Sequence, residues 1–312
     1  MNLTHFKTFA VFTTAIAALS GTASAFADDT DATDATTNPA IPDMGKLLTT
    51  GGVIDVEGTG GGGITPWALI SGYGTRDSYG ASVHYTSIST QDFMLNTYGA
   101  TVGIMDRVEL SVAKQDFKSN SGPLNGLDIQ QDIYGIKVKL FGDAVYDQDS
   151  WLPQVAIGAE HKQNNGLTGL INGPVTALGA KNTSGTDYYV SATKIFLEQS
   201  ILANITIRDT EANQMGLLGF GGGLNDSYKA EFEGSLAYLI NKNWVLGTEY
   251  RDKPHNLTAD NEKAYYDVFV AWFPSKNLSV TLAYANLGSI AAPETGNNSN
   301  QAGAYLSLQA GF

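Results

Sequence analysis

Ser82-Val83-His84 places a hydroxyl and an imidazole two residues apart, on one face of any strand that contains them. A serine beside a histidine is the start of nucleophilic acyl-transfer chemistry. A lipid acyl-hydrolase working from a barrel wall would carry the pair as His-x-Ser, turned outward, with an Asn or Asp to orient the ring. Here the order is Ser-x-His and the alternation of the chain turns both residues inward. No orienting amide or carboxylate is placed beside them. The pair is read as part of a wall, and no catalytic residue is assigned.

Other chemistry-bearing patterns dissolve in the same way. Gly58-Thr59-Gly60-Gly61-Gly62-Gly63 satisfies G-x-G-x-x-G, but Ile64-Thr65-Pro66-Trp67 continues as extended chain. A dinucleotide fingerprint needs a helix to begin there, so that its amides meet pyrophosphate. The run reads instead as a turn, or as a close backbone approach inside a barrel mouth. His161 and His255 lack metal-ligand spacing, and the aspartates of residues 28–40 lack the glycine and closing glutamate of a calcium loop. The chain has no cysteine, which excludes disulfides, thiolate metal sites and thiol nucleophiles. Neither a metal nor a cofactor is predicted.

The charges that remain form the candidate site. Glu109, Lys137, Lys139, Glu160, Lys162, Arg208, Lys229, Glu231, Glu233, Glu249, Arg251 and Asp267 all fall on the polar side of alternating segments. On the inner wall of a barrel such residues would line a pore and filter solutes by charge. The competing reading is that opposite charges pair and brace the interior, with Lys137 and Lys139 lying between Glu109 and Glu160. Gly99, Thr101, Gly103, Ser111, Gly135, Gly158 and Gly247 share the inner face and suggest room for water.

These residues must be positioned by strands. Only 16% of the chain is charged, against about a quarter in ordinary soluble proteins. Yet mean hydropathy is −0.11, and no apolar run approaches the ~20 residues that a membrane helix requires. The remaining spanning architecture is a closed barrel, whose hydrophobicity is diluted by alternation. Phe232, Leu236, Tyr238 and Ile240 oppose Glu231, Glu233 and Ser235. Tyr134, Ile136, Val138 and Leu140 oppose Lys137 and Lys139. A soluble sandwich would alternate too, but its outer face would be strongly charged. Here the polar face is rich in Gly, Ala, Ser and Thr. Trp67, Tyr73, Tyr79, Tyr98, Tyr238, Trp244, Tyr250, Trp272 and Tyr284 fall at or near strand ends, as in an interfacial aromatic belt.

The connections alternate in length. MDR, LEQS, NKN and PSKN are tight, and GDAVYDQDS is moderate. Between them lie long segments such as 164–186, 209–227 and 288–302. That is the pattern of short periplasmic turns and long external loops. The expected fold is therefore an all-β, transmembrane, antiparallel up-and-down barrel. Its 14 strands fall near residues 50–56, 67–73, 79–88, 95–105, 108–116, 129–141, 152–162, 187–196, 201–208, 228–240, 244–251, 264–273, 278–287 and 303–312. The first is the weakest, and because even counts are favoured, the alternative is 12.

Residues 1–25 carry one cation, Lys7, then an apolar stretch and small residues, with cleavage expected after Ala25 or Ala27. This is a Sec-type signal peptide, removed from the mature protein. Residues 26–48 read as a flexible acidic, Thr-rich periplasmic segment, and 49–312 as the barrel. Eighteen basic residues stand against 31 acidic ones, a net charge of −13 that becomes one unit more negative without Lys7. A nucleic-acid partner is excluded on that balance.

Two resemblances carry further expectations. The final alternating strand, with Leu306, Leu308, Ala310 and Phe312 on one face, resembles the carboxy-terminal signal read by the outer-membrane barrel assembly machinery, although Ala310 stands where many such signals have Tyr or Phe. The stretches TPWALISGYGTRD (65–77) and QDIYGIKVKLFGDAVYDQDSWLPQVAIGAEHK (131–162), together with GGV at 51–53 and the glycine run, resemble an uncharacterised proteobacterial family of outer-membrane barrels. That similarity spans residues 45–312 and implies location and architecture, without a substrate.

The resulting expectation is a porin-like outer-membrane channel for passive diffusion of small solutes, in contact with outer-membrane lipids. The alternatives are a plugged structural or binding barrel, a hydrophobic-compound transporter using Met215, Leu217, Leu218 and Phe220, and a lipid acyl-hydrolase.

Overall fold

The computed structural model describes residues 45–51 and 53–312. The expected signal peptide, and the acidic segment as far as residue 44, lie outside the described residues. Among the described residues no helix is long and apolar enough to cross a membrane.

Two short strands, β1 (Val53–Ile54) and β2 (Gly60–Gly61), pair with each other and stand apart from the main sheet. The other twelve close into one antiparallel barrel. They are β3 (Tyr79–Ser89), β4 (Phe93–Ile104), β5 (Val108–Ser119), β6 (Leu127–Phe141), β7 (Gln154–Gly169) and β8 (Ser184–Phe196). The rest are β9 (Ile201–Thr210), β10 (Lys229–Asn241), β11 (Trp244–Arg251), β12 (Tyr265–Ser275), β13 (Leu278–Asn286) and β14 (Ala302–Gly311). Each strand pairs with its chain neighbours, and β14 closes on β3 from Ala304 opposite Ser89 to Gly311 opposite Ser82. The count is thus the alternative of 12. The two segments expected first, 50–56 and 67–73, are not part of the wall.

The period of two sets the faces as expected. Tyr134, Ile136, Ile157, Val190, Ile205, Ile207, Leu236, Val268 and Leu282 are exposed on the outside, while Glu160, Lys162, Arg208, Glu233 and Asp267 are buried within. A continuous exposed apolar belt of this kind is covered by a bilayer, because water would leave it unfavourably hydrated. Tyr79, Tyr238, Trp244 and Trp272 lie toward the end that carries Phe312; Trp244 and Trp272 stack there with centroids 5.7 Å apart. Tyr188, Tyr250, Tyr266 and Tyr284 lie toward the other end. Trp67 and Tyr73, assigned to this belt from the sequence, are not in it. Trp67 is 4% exposed inside the barrel, and Tyr73 donates to the Leu48 carbonyl at 2.6 Å.

One barrel end, here the terminal end, has the connections 105–107, 142–153, 197–200, 242–243 and 276–277. The loop end has 90–92, 120–126, 170–183, 211–228, 252–264 and 287–301. The predicted alternation in length holds apart from the short 90–92 and from 142–153 at the terminal end, which is longer than 120–126 at the loop end. Several strands run on past the expected loop-end boundary, β7 as far as Gly169 and β8 from Ser184. Gln163, Asn164 and Asn165 are polar on both faces there, so the alternation disappears while the ladder continues.

The residues expected to begin the wall fold into the barrel instead. From the terminal end the chain runs inward, turns at Asp55–Thr59 and Gly60–Gly63, and returns through Pro66–Ser71 to β3. Asp55, Val56, Glu57, Thr59, Ile64, Thr65, Ala68 and Ile70 are each at most 1% exposed. Near the terminal end this plug packs Val53, Trp67 and Leu69 against Ile195, Leu202, Phe269 and Phe273. At the loop end Val56 and Ile64 join an apolar cluster with Phe117, Leu218 and Ile290. Between the two apolar tiers lies a polar one.

Candidate functional site

The polar tier is built from inward positions of β5 to β12 and from the turn of the plug. Glu57 is its centre. Arg251 Nη1 lies 2.5 Å from Glu57, Arg208 Nη2 lies 3.4 Å away, and Lys162 Nζ is in direct contact. Arg208 also reaches Glu160 at 2.6 Å, Glu233 at 2.5 Å and Asp187 at 3.3 Å; Lys162 reaches Asp187 at 2.5 Å. Thr59 donates to Glu160 at 2.8 Å. Every one of these side chains is almost fully buried. Burial of that many charges is tolerable only because each is paired and hydrogen-bonded.

Two further carboxylates hold the plug backbone. Glu109 accepts from the Gly60 amide at 2.8 Å and the Ser71 amide at 2.7 Å, while Lys137, 3.1 Å from Glu109, donates to the carbonyls of Gly60 (2.6 Å) and Leu69 (2.9 Å). Glu249 accepts from the amides of Gly63 and Ile64 and from the hydroxyls of Thr65 and Ser235, at 2.5 to 2.9 Å. Neutral contacts complete the fit. Gln115 donates to the Val56 carbonyl at 2.7 Å, Gln154 to the Ala68 carbonyl at 2.6 Å, and Trp67 Nε1 to Ser235 at 2.8 Å.

The glycines are required by this closeness. A Cβ on Gly62 would overlap the Glu249 carboxylate, and one on Gly103 of the wall would overlap the Ser71 carbonyl. The space that small inner-wall residues suggested for water is taken up here by polypeptide.

The twelve charges singled out from sequence all lie on inner-face positions, and the structure divides them. Glu109, Lys137, Glu160, Lys162, Arg208, Glu233, Glu249 and Arg251 converge on the plug. Lys139 does not join Glu160. It pairs with Asp106 at 2.8 Å, because the register sets it opposite Ala156, four residues below Glu160 on β7. Lys46 reaches the same aspartate at 2.9 Å, fastening the plug at the terminal end. Lys229 and Glu231 stand nearer the loop end, half-buried, and form no hydrogen bond to the plug among the described residues. Asp267 is 1% exposed beside Glu249, and neither of its oxygens has a hydrogen-bond partner.

Sequence reasoning missed Glu57, Asp55 and Asp187. Asp187 was legible, since it alternates with Tyr188 on an expected strand. Glu57 was hidden because its segment was assigned to the wall. Glu57, Glu160 and Asp187 bring carboxylate oxygens within 4.8 Å of one another. Lys162, Arg208 and Arg251 occupy the space around them, so the trio is the acidic half of an ion-pair core. Ser82 and His84 face inward as expected, at 1% and 5% exposure, and no hydrogen bond joins the hydroxyl to either ring nitrogen. Leu306, Leu308 and Ala310 share the outer face of β14, and Phe312 follows directly after its last residue. The Phe312 ring is exposed, while its carbonyl accepts from the amides of Tyr73 and Ala81.

Comparison with known proteins adds architecture. The profile of a family described as a protein of unknown function, DUF3034, matches residues 50–309. No curated protein matches the sequence. Among solved structures the chain is similar to the KdgM porin, with 8% identity and a TM-score of 0.43 over 74% of this chain and 99% of that one. It is similar to the COG4313 outer-membrane channel from Pseudomonas putida F1, with 12% identity and a TM-score of 0.38 over 79% and 96%. It is also similar to outer membrane phospholipase A from Escherichia coli, with 8% identity and a TM-score of 0.39 over 77% and 94%.

Proposed function

We propose, for a chain that belongs to the DUF3034 family of unknown function, that it is a porin-like outer-membrane channel for small solutes whose passage is closed by residues 53–71. The observation that carries this reading is that a separate segment of the chain enters the lumen and is held there by the wall's inward side chains. Where the plug passes, the wall is set back at Gly103 and Gly135, and the plug is fastened through Glu57, Glu109 and Glu249. Ionic and backbone contacts of this kind can be exchanged for water when the segment withdraws, whereas the barrel ladder stays intact. The terminal end faces the periplasm and the long loops face outward. The emptied wall would present Lys137, Lys162, Arg208 and Arg251 among Glu109, Glu160, Asp187, Glu233 and Glu249, a mixed lining with little preference for either ion sign.

Planar-bilayer recording tests this. The full chain should open rarely, and a chain lacking residues 45–71 should show frequent stepwise openings and admit sugars in liposome swelling. A deletion variant that is folded, as judged by heat-modifiable migration on a gel, yet electrically silent would overturn the channel reading in favour of a solid scaffold.

A further inference from the structure

The loop end holds two adjoining cavities, of about 60 and 10 Å³, both lined mainly by apolar side chains. They share Phe117, Leu218 and Ile290. Close-packed interiors leave few voids of this size, and an apolar void stays dry and accepts apolar guests. These cavities also lie where the chain is strained. Six described non-glycine residues have left-handed backbone. Met105, Asp106 and Ser200 sit in tight turns of the terminal end. The other three, Gln214 (φ 46°), Met215 (φ 62°) and Ala291 (φ 47°), all border the cavities. Strain is retained where the surroundings over-determine it, and such sites are commonly ligand clamps.

The surroundings here are a polar latch on one side of the cavities. Gln214 donates through Nε2 to Asp260 at 2.7 Å and to the Ser289 carbonyl at 3.2 Å, and its Oε1 accepts from Lys253 at 3.0 Å and Tyr265 at 2.5 Å. Asp260 accepts in turn from the Ala291 amide at 2.9 Å. One glutamine thus ties loops 211–228, 252–264 and 287–301 together over an apolar chamber. The tip of the plug lies in the same apolar cluster as the cavity lining, through Val56 and Ile64 with Phe117, Leu218 and Ile290.

We propose that this chamber is a binding site for a small apolar molecule of the hydrocarbon or alkylbenzene type, taken in beneath loop 211–228 and seated against Phe117, Leu218 and Ile290. The proposal rests on the channel reading and adds one class of molecule that the loop end of the channel takes up. The lining offers no charged group that would demand a headgroup, and the latch supplies a lid that can part along polar contacts. At its present size the chamber holds only a few carbon atoms, so a full ligand displaces Leu218 and Met215 outward and relieves the left-handed turn.

The test is photolabelling of the full chain in lipid nanodiscs with a phenyl(trifluoromethyl)diazirine, a small apolar aryl probe, followed by peptide mapping. Adducts are expected on peptides carrying Phe117, Leu218 and Ile290, reduced about tenfold by excess toluene. Leu218→Trp should remove these adducts at least tenfold while leaving those on the bilayer-facing Val268 unchanged, which also reports a folded barrel. If that variant fails to fold, Ala259→Leu fills the larger cavity from another side with the same expectation. Adducts confined to bilayer-facing residues, or cavity adducts that persist at the original level in a folded filled variant, overturn the proposal. Adducts without solute flux would leave the site standing and remove the channel reading; flux without adducts would do the reverse.

Discussion

At the scale of single residues, two buried carboxylates of the same interior make opposite predictions. Glu57 is surrounded by Arg251, Lys162 and Arg208. Glu57→Gln leaves those cations short of a counter-charge, and breaking a buried pair from one side costs about 3–5 kcal/mol. The strain falls on the seating of the plug, because the wall cations retain Glu160, Asp187 and Glu233. Hydrogen exchange of residues 53–67 should therefore accelerate by two to three orders of magnitude while the barrel ladder stays protected. Adding Arg251→Met should recover part of that loss; no recovery would show that the pair is not coupled. Asp267 has no such partners. Asp267→Asn removes a buried, uncompensated carboxyl at constant shape, and should raise the unfolding midpoint in urea, by about 1–3 kcal/mol in stability. A large fall in that midpoint would mean that Asp267 has a role in the closed state that its contacts do not reveal.

At the scale of elements, the loop latch should respond to pH. Burial pushes the Glu262 carboxyl up to about 8; Lys253, 3.5 Å away, opposes this and Asp260 adds to it. Burial also lowers Lys253 and raises Asp260. A carboxyl whose folded value lies above its usual one binds its proton more tightly in the latched state. Its contribution is present at low pH and is lost as pH rises from the ordinary carboxylate range, about 4.3, toward 8. Lys253 acts in the opposite sense as it loses its proton. Limited proteolysis of loops 252–264 and 211–228 should thus quicken from pH 5 to pH 8, and Glu262→Gln should flatten that dependence. A variant that keeps the full slope would place the titration elsewhere. The elements themselves were legible to different degrees. All twelve wall strands and their faces follow from the period of two, because a lipid-facing side chain and a lumen-facing one cannot exchange places. The plug was not legible by that rule. Residues 50–56 and 67–73 are apolar, short and bounded by glycine, which suits a buried coil inside a barrel as well as a strand in its wall. Trp67 misled for the same reason: its indole N–H finds Ser235 inside rather than an interface outside.

At the scale of the whole molecule, the question is whether the interior is one solid or two bodies that can separate. Charged positions on the inner face were readable in sequence from parity alone. What they contact was not, since Glu57 lies 105 residues from Lys162 and 194 from Arg251 along the chain, and only closure of the barrel brings them together. If plug and wall are separable, a covalent link between them should hold the channel shut without altering the wall. Thr65 of the plug and Ser235 of β10 place their hydroxyl oxygens 2.6 Å apart, and the chain contains no cysteine to compete. In a Glu57→Gln background, which loosens the plug, Thr65→Cys with Ser235→Cys should conduct when reduced and fall silent on oxidation, recovering when reductant is restored. Either cysteine alone should be indifferent to redox state, which separates the tether from any effect of losing a hydroxyl bonded to Glu249. A doubly substituted barrel whose openings continue after the disulfide has formed, as shown by mass spectrometry, would mean that solutes do not pass through the space the plug fills.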